Sequence, residues 1–416
     1  MHRIPSQQPC SIPARRPSVL IVVGYYDAFS GYQEVNLARG FAKLGAAVTV
    51  ISGDRVAPIF SEATVSSLGL SRYYARGASE DGDVHIFRVG YRKVSSLLLS
   101  VAVFSAARRS HSDIVLVLGV GQGFSVPAAW LSTGIRMTIF GDNRAQWVGL
   151  SPVRAALKRA AFACTKGVLY RVVIGRCDRV YVNTLNTRSR IRPFAGGAEL
   201  PVLPLPVDET IFYPDEHVRN NKRAELGITD EKVIAIVGKV SSEKRIDVVL
   251  DVLETIDHLN LVIILSGLGN DPYSALIRNK VQQSKSLSQR VRLLGYLNSH
   301  ELACVMRAAD ICVWPLQPAI TIQQAMVSGC RVIVPDNDLV GFLVKNEARG
   351  ATFRERDFDS LRDVVIDQVS KRENASIRHS RAELNAGFRA VDTARRILSE
   401  LGWPPTDHSA GPLIDS

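Results

Sequence analysis

The chain is 416 residues long, 46% apolar and 22% charged, with a formal net charge of +11. That length exceeds what one hydrophobic core ordinarily supports, so two domains are expected, and the apolar share excludes general disorder. No uncharged apolar run reaches the ~18–20 residues of a membrane span, and residues 1–17 read as a polar, basic, loose tail and not as a secretion signal.

The charge is one-sided. Residues 1–203 hold 25 Lys/Arg against 11 Asp/Glu, and the remainder is slightly acidic. Such an excess suits an anionic partner: nucleic acid, lipid headgroups or a phosphorylated substrate. No zinc-finger, RNP or recognition-helix pattern accompanies it, so nucleic acid is set aside. Cys10, Cys164, Cys177, Cys304, Cys312 and Cys330 are scattered, with no CxxC pair. They read as reduced cysteines of a cytoplasmic protein, and no metal site is expected.

In chain order, Ser18–Val23 is a buried-type strand closed by Gly24, and Tyr32–Leu44 has helical apolar spacing ended by Gly45. Ala47–Ile51 is the next strand, completing a βαβ unit. Ser95–Ala107 reads as a buried helix, Asp113–Leu118 and Arg136–Phe140 as strands, Ser151–Gly175 as a basic helix and Arg179–Val182 as a short strand. The Pro-rich stretch Pro201–Asp208 breaks both periods and is taken as the linker. The expected domains are 18–203 and 204–381, with a closing helix at 382–403 and a tail at 404–416.

A second βαβ series follows the linker. Its strands are Val233–Val237, Leu261–Leu265, Val291–Leu294, Ile311–Trp314 and Arg331–Val334; its helices are Ile246–Ile256, Pro272–Ser284, Ser299–Ala308 and Thr321–Ser328. Asp357–Ser370 and Ala382–Leu401 close it. The implied fold class is α/β, two doubly wound domains facing each other across a cleft.

The most informative segment is Val237–Arg245. An apolar strand ends in Gly238, and Lys239 and Lys244 follow at once, five residues apart. Ligands of open α/β sheets sit at the C-terminal strand edge, so two ammonium groups there suit a diphosphate. The same residues also read as a solvated loop with ordinary surface lysines.

The order of these features resembles the GT-B glycosyltransferases, specifically the retaining family-4 type, from about Ser18 to Ile397. Gly31-Tyr32-Gln33-Glu34 with Asn36-Leu37-Ala38 resembles that family's first glycine loop and helix. Val207-Asp208 with Phe212-Tyr213-Pro214 resembles its stretch after the hinge. Gly238-Lys239 and Glu243-Lys244 resemble its diphosphate element, with Lys for the usual Arg. Val291-Arg292-Leu293-Leu294-Gly295, Leu302, Ala309-Asp310 and Gln324-Ala325-Met326-Val327-Ser328-Gly329 follow in the family's order.

The resemblance implies transfer of a sugar, with retention, from a nucleotide diphosphate sugar to a glycan or lipid-linked acceptor, in polysaccharide or glycolipid synthesis. Lys239 and Lys244 would neutralise the leaving diphosphate, so no metal or other cofactor is expected. Gly31, Gly238, Ala319, Ile320 and Thr321 would hold the donor's diphosphate and sugar. Gln324, Gly267, Gly269, Gly295, Tyr296 and Leu297 would hold the nucleotide, and Glu34, Asp142 and Asn143 would face the acceptor. A cytoplasmic protein is implied, with peripheral contact to the anionic inner membrane face through the helix Ser151–Gly175.

Two departures stand out. The family carries two glutamates at the ends of an eight-residue step, and here those positions are Leu316 (or Gln317) and Gln324. Where many relatives have His-x-His, this chain has Leu116-Val117-Leu118. A catalytically silent relative that binds a nucleotide sugar or a partner transferase is therefore the alternative reading. A dinucleotide oxidoreductase is set aside, because Gly24–Gly31 contains no GxGxxG. Blander roles also exist: Gly267 and Gly269 as strand ends, Thr321 as a cap, Asp142 in an Asx turn, and Glu34 answering its helix dipole.

Overall fold

The computed structural model of the chain describes residues 16–60, 62–141, 151–316 and 319–403. The first domain is built on strands β1 (Ser18–Val23), β2 (Ala47–Gly53), β3 (Gly77–Asp81), β4 (Val84–Val89), β7 (Ile114–Val117), β8 (Ile135–Phe140) and β9 (Arg179–Val182), with a separate hairpin of β5 (Arg92–Val94) and β6 (Leu97–Leu99). The order is β3-β4-β2-β1-β7-β8-β9, and every pairing except β3–β4 is parallel. The β-branched runs Ser18–Val23 and Ile114–Val117 are buried on both faces, as central parallel strands must be. One face packs on the helix Gln33–Lys43 through Val35, Leu37, Ala38 and Phe41.

The second domain carries β10 (Lys232–Ile236), β11 (Leu261–Leu265), β12 (Val291–Leu293), β13 (Ile311–Val313), β14 (Arg331–Pro335) and β15 (Gly350–Phe353). All are parallel, in the order β12-β11-β10-β13-β14-β15. Val249 and Leu253 pack on one face of this sheet, and Ala325 and Met326 on the other. Both sheets reverse direction beside their first strand, at β1/β7 and β10/β13. Those switch points are where doubly wound folds leave a crevice for ligand.

Two strands of chain cross between the domains side by side. Val207 N–H donates to the Phe388 carbonyl at 2.7 Å, and Ala390 N–H donates to the Val207 carbonyl at 2.8 Å. After the second crossing, the helix Ala390–Glu400 lies on the first domain, where Ala394, Ile397, Leu398 and Trp403 join its core. Asn36 ties this hinge to the first glycine loop: its Nδ2 donates to the carbonyls of Gly31 (2.9 Å) and Pro206 (2.8 Å).

Three expected elements differ. Residues 95–107 are not one buried helix. Ser95 turns the hairpin at φ 56, Leu97–Leu99 is a strand, and the helix Val101–Arg109 leaves Val101 and Phe104 exposed. The basic stretch after Ser151 is two helices, Pro152–Cys164 and Lys166–Ile174, broken at Thr165, whose Oγ1 donates to the Ala161 carbonyl. The closing helix is also divided. Ala375–Leu384 stays on the second domain, held by Arg378–Glu216 and Arg381–Glu373 ion pairs, and the crossing helix starts only at Ala390.

Candidate active site

The loop after β10 is shaped by two glycines at positive φ. Gly238 has φ 105 and Gly267 has φ 94, conformations that L side chains rarely adopt. The backbones also touch: a Cβ on Gly267 would lie 2.1 Å from the Gly238 carbonyl oxygen. Gly267 N–H donates to the Gly295 carbonyl at 2.9 Å, and its carbonyl accepts from Val240 N–H at 3.1 Å. The strand-end loops carrying Gly238, Gly267 and Gly295 are thereby stitched into one rim. Gly269 joins it through its N–H, which donates to Ser274 Oγ at 3.0 Å.

Lys244 reaches into this rim. Its 3-10 turn, Ser242–Lys244, returns the side chain so that Nζ lies 3.5 Å from where a Gly238 Cβ would be, with Thr321 Oγ1 3.6 Å from the same point. The ammonium is partly buried, and burial followed by repulsion from Lys239 lowers its pKa. Neither lysine has a carboxylate partner among the described residues. Two neighbouring cations without a counter-ion, at a switch point, form a seat for a multivalent anion.

The second wall is the helix Ile320–Val327, beginning beside β13. Ala319 occupies its N-cap position, and no side chain caps the helix. The half-buried Ala319 and Ile320 therefore open it with first-turn N–H groups lacking side-chain acceptors, as anion seats at helix starts require. Thr321 is not a cap: it lies inside the helix, and its Oγ1 accepts a hydrogen bond from Trp314 Nε1 at 3.1 Å. That buried lock was not read from the sequence. The available signal was a tryptophan at a strand end, which must find an acceptor when buried.

Gln324 sits one turn further on, 6% exposed, and its Oε1 has no hydrogen-bond partner. An orphaned buried acceptor costs about 1–3 kcal/mol, and a hydroxyl donor from a bound ligand would relieve it. Leu316 is half-buried at the other motif position. Gln317 lies outside the described residues, as do Asp142 and Asn143.

From the first domain, the loop after β1 supplies Gly31 at φ 59, with open space where a Cβ would be. Tyr32 follows, and Glu34 stands in the first turn of its helix. Burial, then repulsion from Asp27, raises the Glu34 pKa to about 7, only partly offset by its own backbone N–H. Asp27 is buried, accepts from Ala57 N–H (3.0 Å) and Tyr74 Oη (2.8 Å), and is itself raised by burial. The phenol of Tyr32 is raised by burial, then by Glu34 and by Tyr296. Tyr296 belongs to the second domain, so the two C-terminal strand edges face each other here. Tyr296 is mostly exposed, while Leu297 packs into the second core. Asn186 N–H, from the first domain, donates to the Asp338 carbonyl of the second at 3.0 Å, a further contact between the two.

Lys239, Lys244, Gly238, Gly267, Gly295, Thr321 and Gln324 thus belong to three adjoining loops and one helix. Glu34 and Gly31 occupy the opposite domain. Leu116, Val117 and Leu118 are buried in the first core and offer nothing to the cleft.

Two facing Rossmann-like domains, with the last helix returned to the first, define the GT-B glycosyltransferase fold. Solved structures agree. Sucrose-phosphate synthase from Thermosynechococcus elongatus superposes with a TM-score of 0.63 at 15% identity, covering 93% of this chain and 98% of that one. HepE of Anabaena, solved with UDP-glucose, gives 0.62 at 15% identity, covering 93% and 99%.

Residues 218–383, within the second domain, match the family model for glycosyl transferases group 1. Among curated proteins, the D-inositol 3-phosphate glycosyltransferase of Mycobacteroides abscessus is 26% identical over 257 residues, covering 59% of this chain and 56% of that protein. The protein of the same name from Mycolicibacterium smegmatis is 26% identical over 271 residues, covering 62% and 61%. The alignments therefore span little more than half the length of these relatives.

Proposed function

We propose that the chain is a glycosyltransferase using a nucleotide diphosphate sugar, with a glycan or lipid-linked acceptor and retention at the anomeric carbon. The observation that carries this is Lys244, partly buried and uncompensated beside Lys239, Gly238 and Thr321. The glycosyl transferases group 1 match over the same domain supports it. A fold relative that holds UDP-glucose supports a nucleotide sugar as donor.

In this reading the donor diphosphate lies against Lys239, Lys244 and the N–H groups at Ala319–Thr321. The bond from the anomeric carbon to the β-phosphate oxygen breaks, and charge grows on that oxygen. The acceptor hydroxyl forms the new bond on the same face, and its proton passes to the leaving phosphate. The two ammonium groups answer the growing charge, so the proposal includes no metal. The Gln324 amide oxygen accepts from ribose, and Glu34 faces the acceptor. Work in cell-surface polysaccharide or glycolipid synthesis, at the inner face of a membrane, completes the reading.

The neutral Gln324 and Leu316 favour one competitor, a silent relative that binds nucleotide sugars without turnover. Incubation with a panel of nucleotide sugars and a membrane extract separates the two. Release of nucleoside diphosphate is expected for one donor and is insensitive to chelator. Lys244→Ala is expected to lower it by about 100- to 1,000-fold, the usual loss for a charge-stabilising donor. Unchanged turnover in that variant overturns the diphosphate assignment.

A further inference from the structure

The first domain carries a second feature that the cleft does not use. Two cavities adjoin along Leu99–Val101. One, of about 550 Å³, is lined by Arg76, Arg88 and Arg92; the other, of about 460 Å³, is lined by Leu97, Leu98, Phe104, Phe124 and Leu169. Arg92, Leu99, Ser100 and Val101 belong to both. A cavity with three arginines in its wall therefore shares a side with an apolar one.

The cations differ in how far they are compensated. Arg76 is paired with Asp54 at 2.7 Å. Arg88 is only 4% exposed and forms no ion pair within 4 Å among the described residues; it meets Ser52 Oγ (3.4 Å), the Gly53 carbonyl (3.3 Å) and the Tyr74 and Tyr26 rings, with Asp27 and Asp81 acting on it from further off. Arg92 and Lys93 have no acidic partner among those residues either. From Val84 to Cys177 the sequence holds 13 Lys/Arg against two acids, Asp113 and Asp142.

The apolar compartment opens outward. Val101 is 87% exposed, Phe104 53% and Leu99 51%, all at the mouth of the groove. Leu169, on its wall, belongs to Lys166–Ile174, and the preceding helix Pro152–Cys164 buries no residue at all. That helix shows Val153 and Leu157 to solvent beside Arg154, Lys158 and Arg159. Apolar side chains at the surface with cations in excess around them match one chemistry: hydrocarbon beneath a layer of phosphate.

We propose that this face docks on an anionic phospholipid bilayer, the groove under Val101 and Phe104 receiving an acyl chain while Arg92 meets the lipid phosphate at its mouth. The inference rests on the lipid-linked part of the proposed function and assigns it a surface. It differs from the basic helix alone, because the hairpin Arg92–Leu99 and the start of Val101–Arg109 make the apolar contact.

The test uses the full chain and sedimenting vesicles of phosphatidylcholine, with and without phosphatidylglycerol, at low and high salt. Binding is expected only with phosphatidylglycerol and weakens with salt. The Val101→Asp/Phe104→Asp double variant changes exposed positions only, so it should fold, and it is expected to lose at least about tenfold in partition. Absence of binding at low salt, equal binding to neutral vesicles, or an unaffected double variant overturns the proposal. A protein partner in place of lipid would give the first of these. UDP titration on the same samples reports the cleft independently. Intact UDP binding without vesicle binding sinks this inference alone, whereas absent UDP binding sinks the transferase reading.

Discussion

Glu34 is the residue at which position and chemistry pull apart. The first turn of a helix favours a carboxylate, yet burial and Asp27 push its pKa from 4.5 to about 7. Between those values the folded chain keeps a proton that the unfolded chain has released. Its contribution to stability is therefore full below about 4.5 and declines as pH rises to about 7. Asp27, also raised, acts with the same sign. Glu34→Gln is expected to flatten this slope, measured as the urea midpoint against pH, and an unaltered slope would show that the carboxyl is not walled in. Near neutrality the same group exchanges a proton readily, which suits the acceptor-side role proposed for it.

At the scale of elements, the rim of the proposed donor site depends on backbone meeting backbone. A methyl group on Gly267 would strike the Gly238 carbonyl and would also demand φ 94 of alanine. Gly267→Ala is expected to destabilise the second domain by about 1–3 kcal/mol and to weaken nucleotide binding more than tenfold, seen by calorimetry and thermal unfolding. Near-normal affinity would mean that the rim bends without cost. Much of this architecture was legible, because Val233–Val237 and Leu261–Leu265 are β-branched runs ending at glycines. Gly238, Lys239 and Lys244 were legible because their spacing follows such a strand. The hairpin was not: Ser95-Ser96 gives no turn signal, and Leu97-Leu98-Leu99 suits a helix as well as a strand. The division at Asn385–Arg389 was hidden as well, since apolar spacing resumes on both sides. The Trp314–Thr321 bond depends on how a loop closes, which no local pattern encodes.

At the scale of the whole molecule, the helix Ala390–Glu400 makes the first domain depend on the far end of the chain. Ala394 is fully buried there, its Cβ 3.3 Å from where a Cβ on Gly40 would be. Ala394→Asp would bury an unpaired carboxylate at a cost of several kcal/mol. Amide exchange in β1 and β2 is expected to accelerate while that in β10 and β11 is spared. Uniform acceleration would show that the two domains unfold as one unit.

That dependence also orders events during synthesis. The second domain has all its strands by residue 353, and its last packed helix, Ala375–Leu384, follows soon after. The first domain is translated earlier, yet the helix that covers Phe41 and Leu37 has still to be translated when its sheet emerges. An apolar flank on a nascent lobe thus waits through the making of an entire neighbour, an interval in which chaperones would have most to protect.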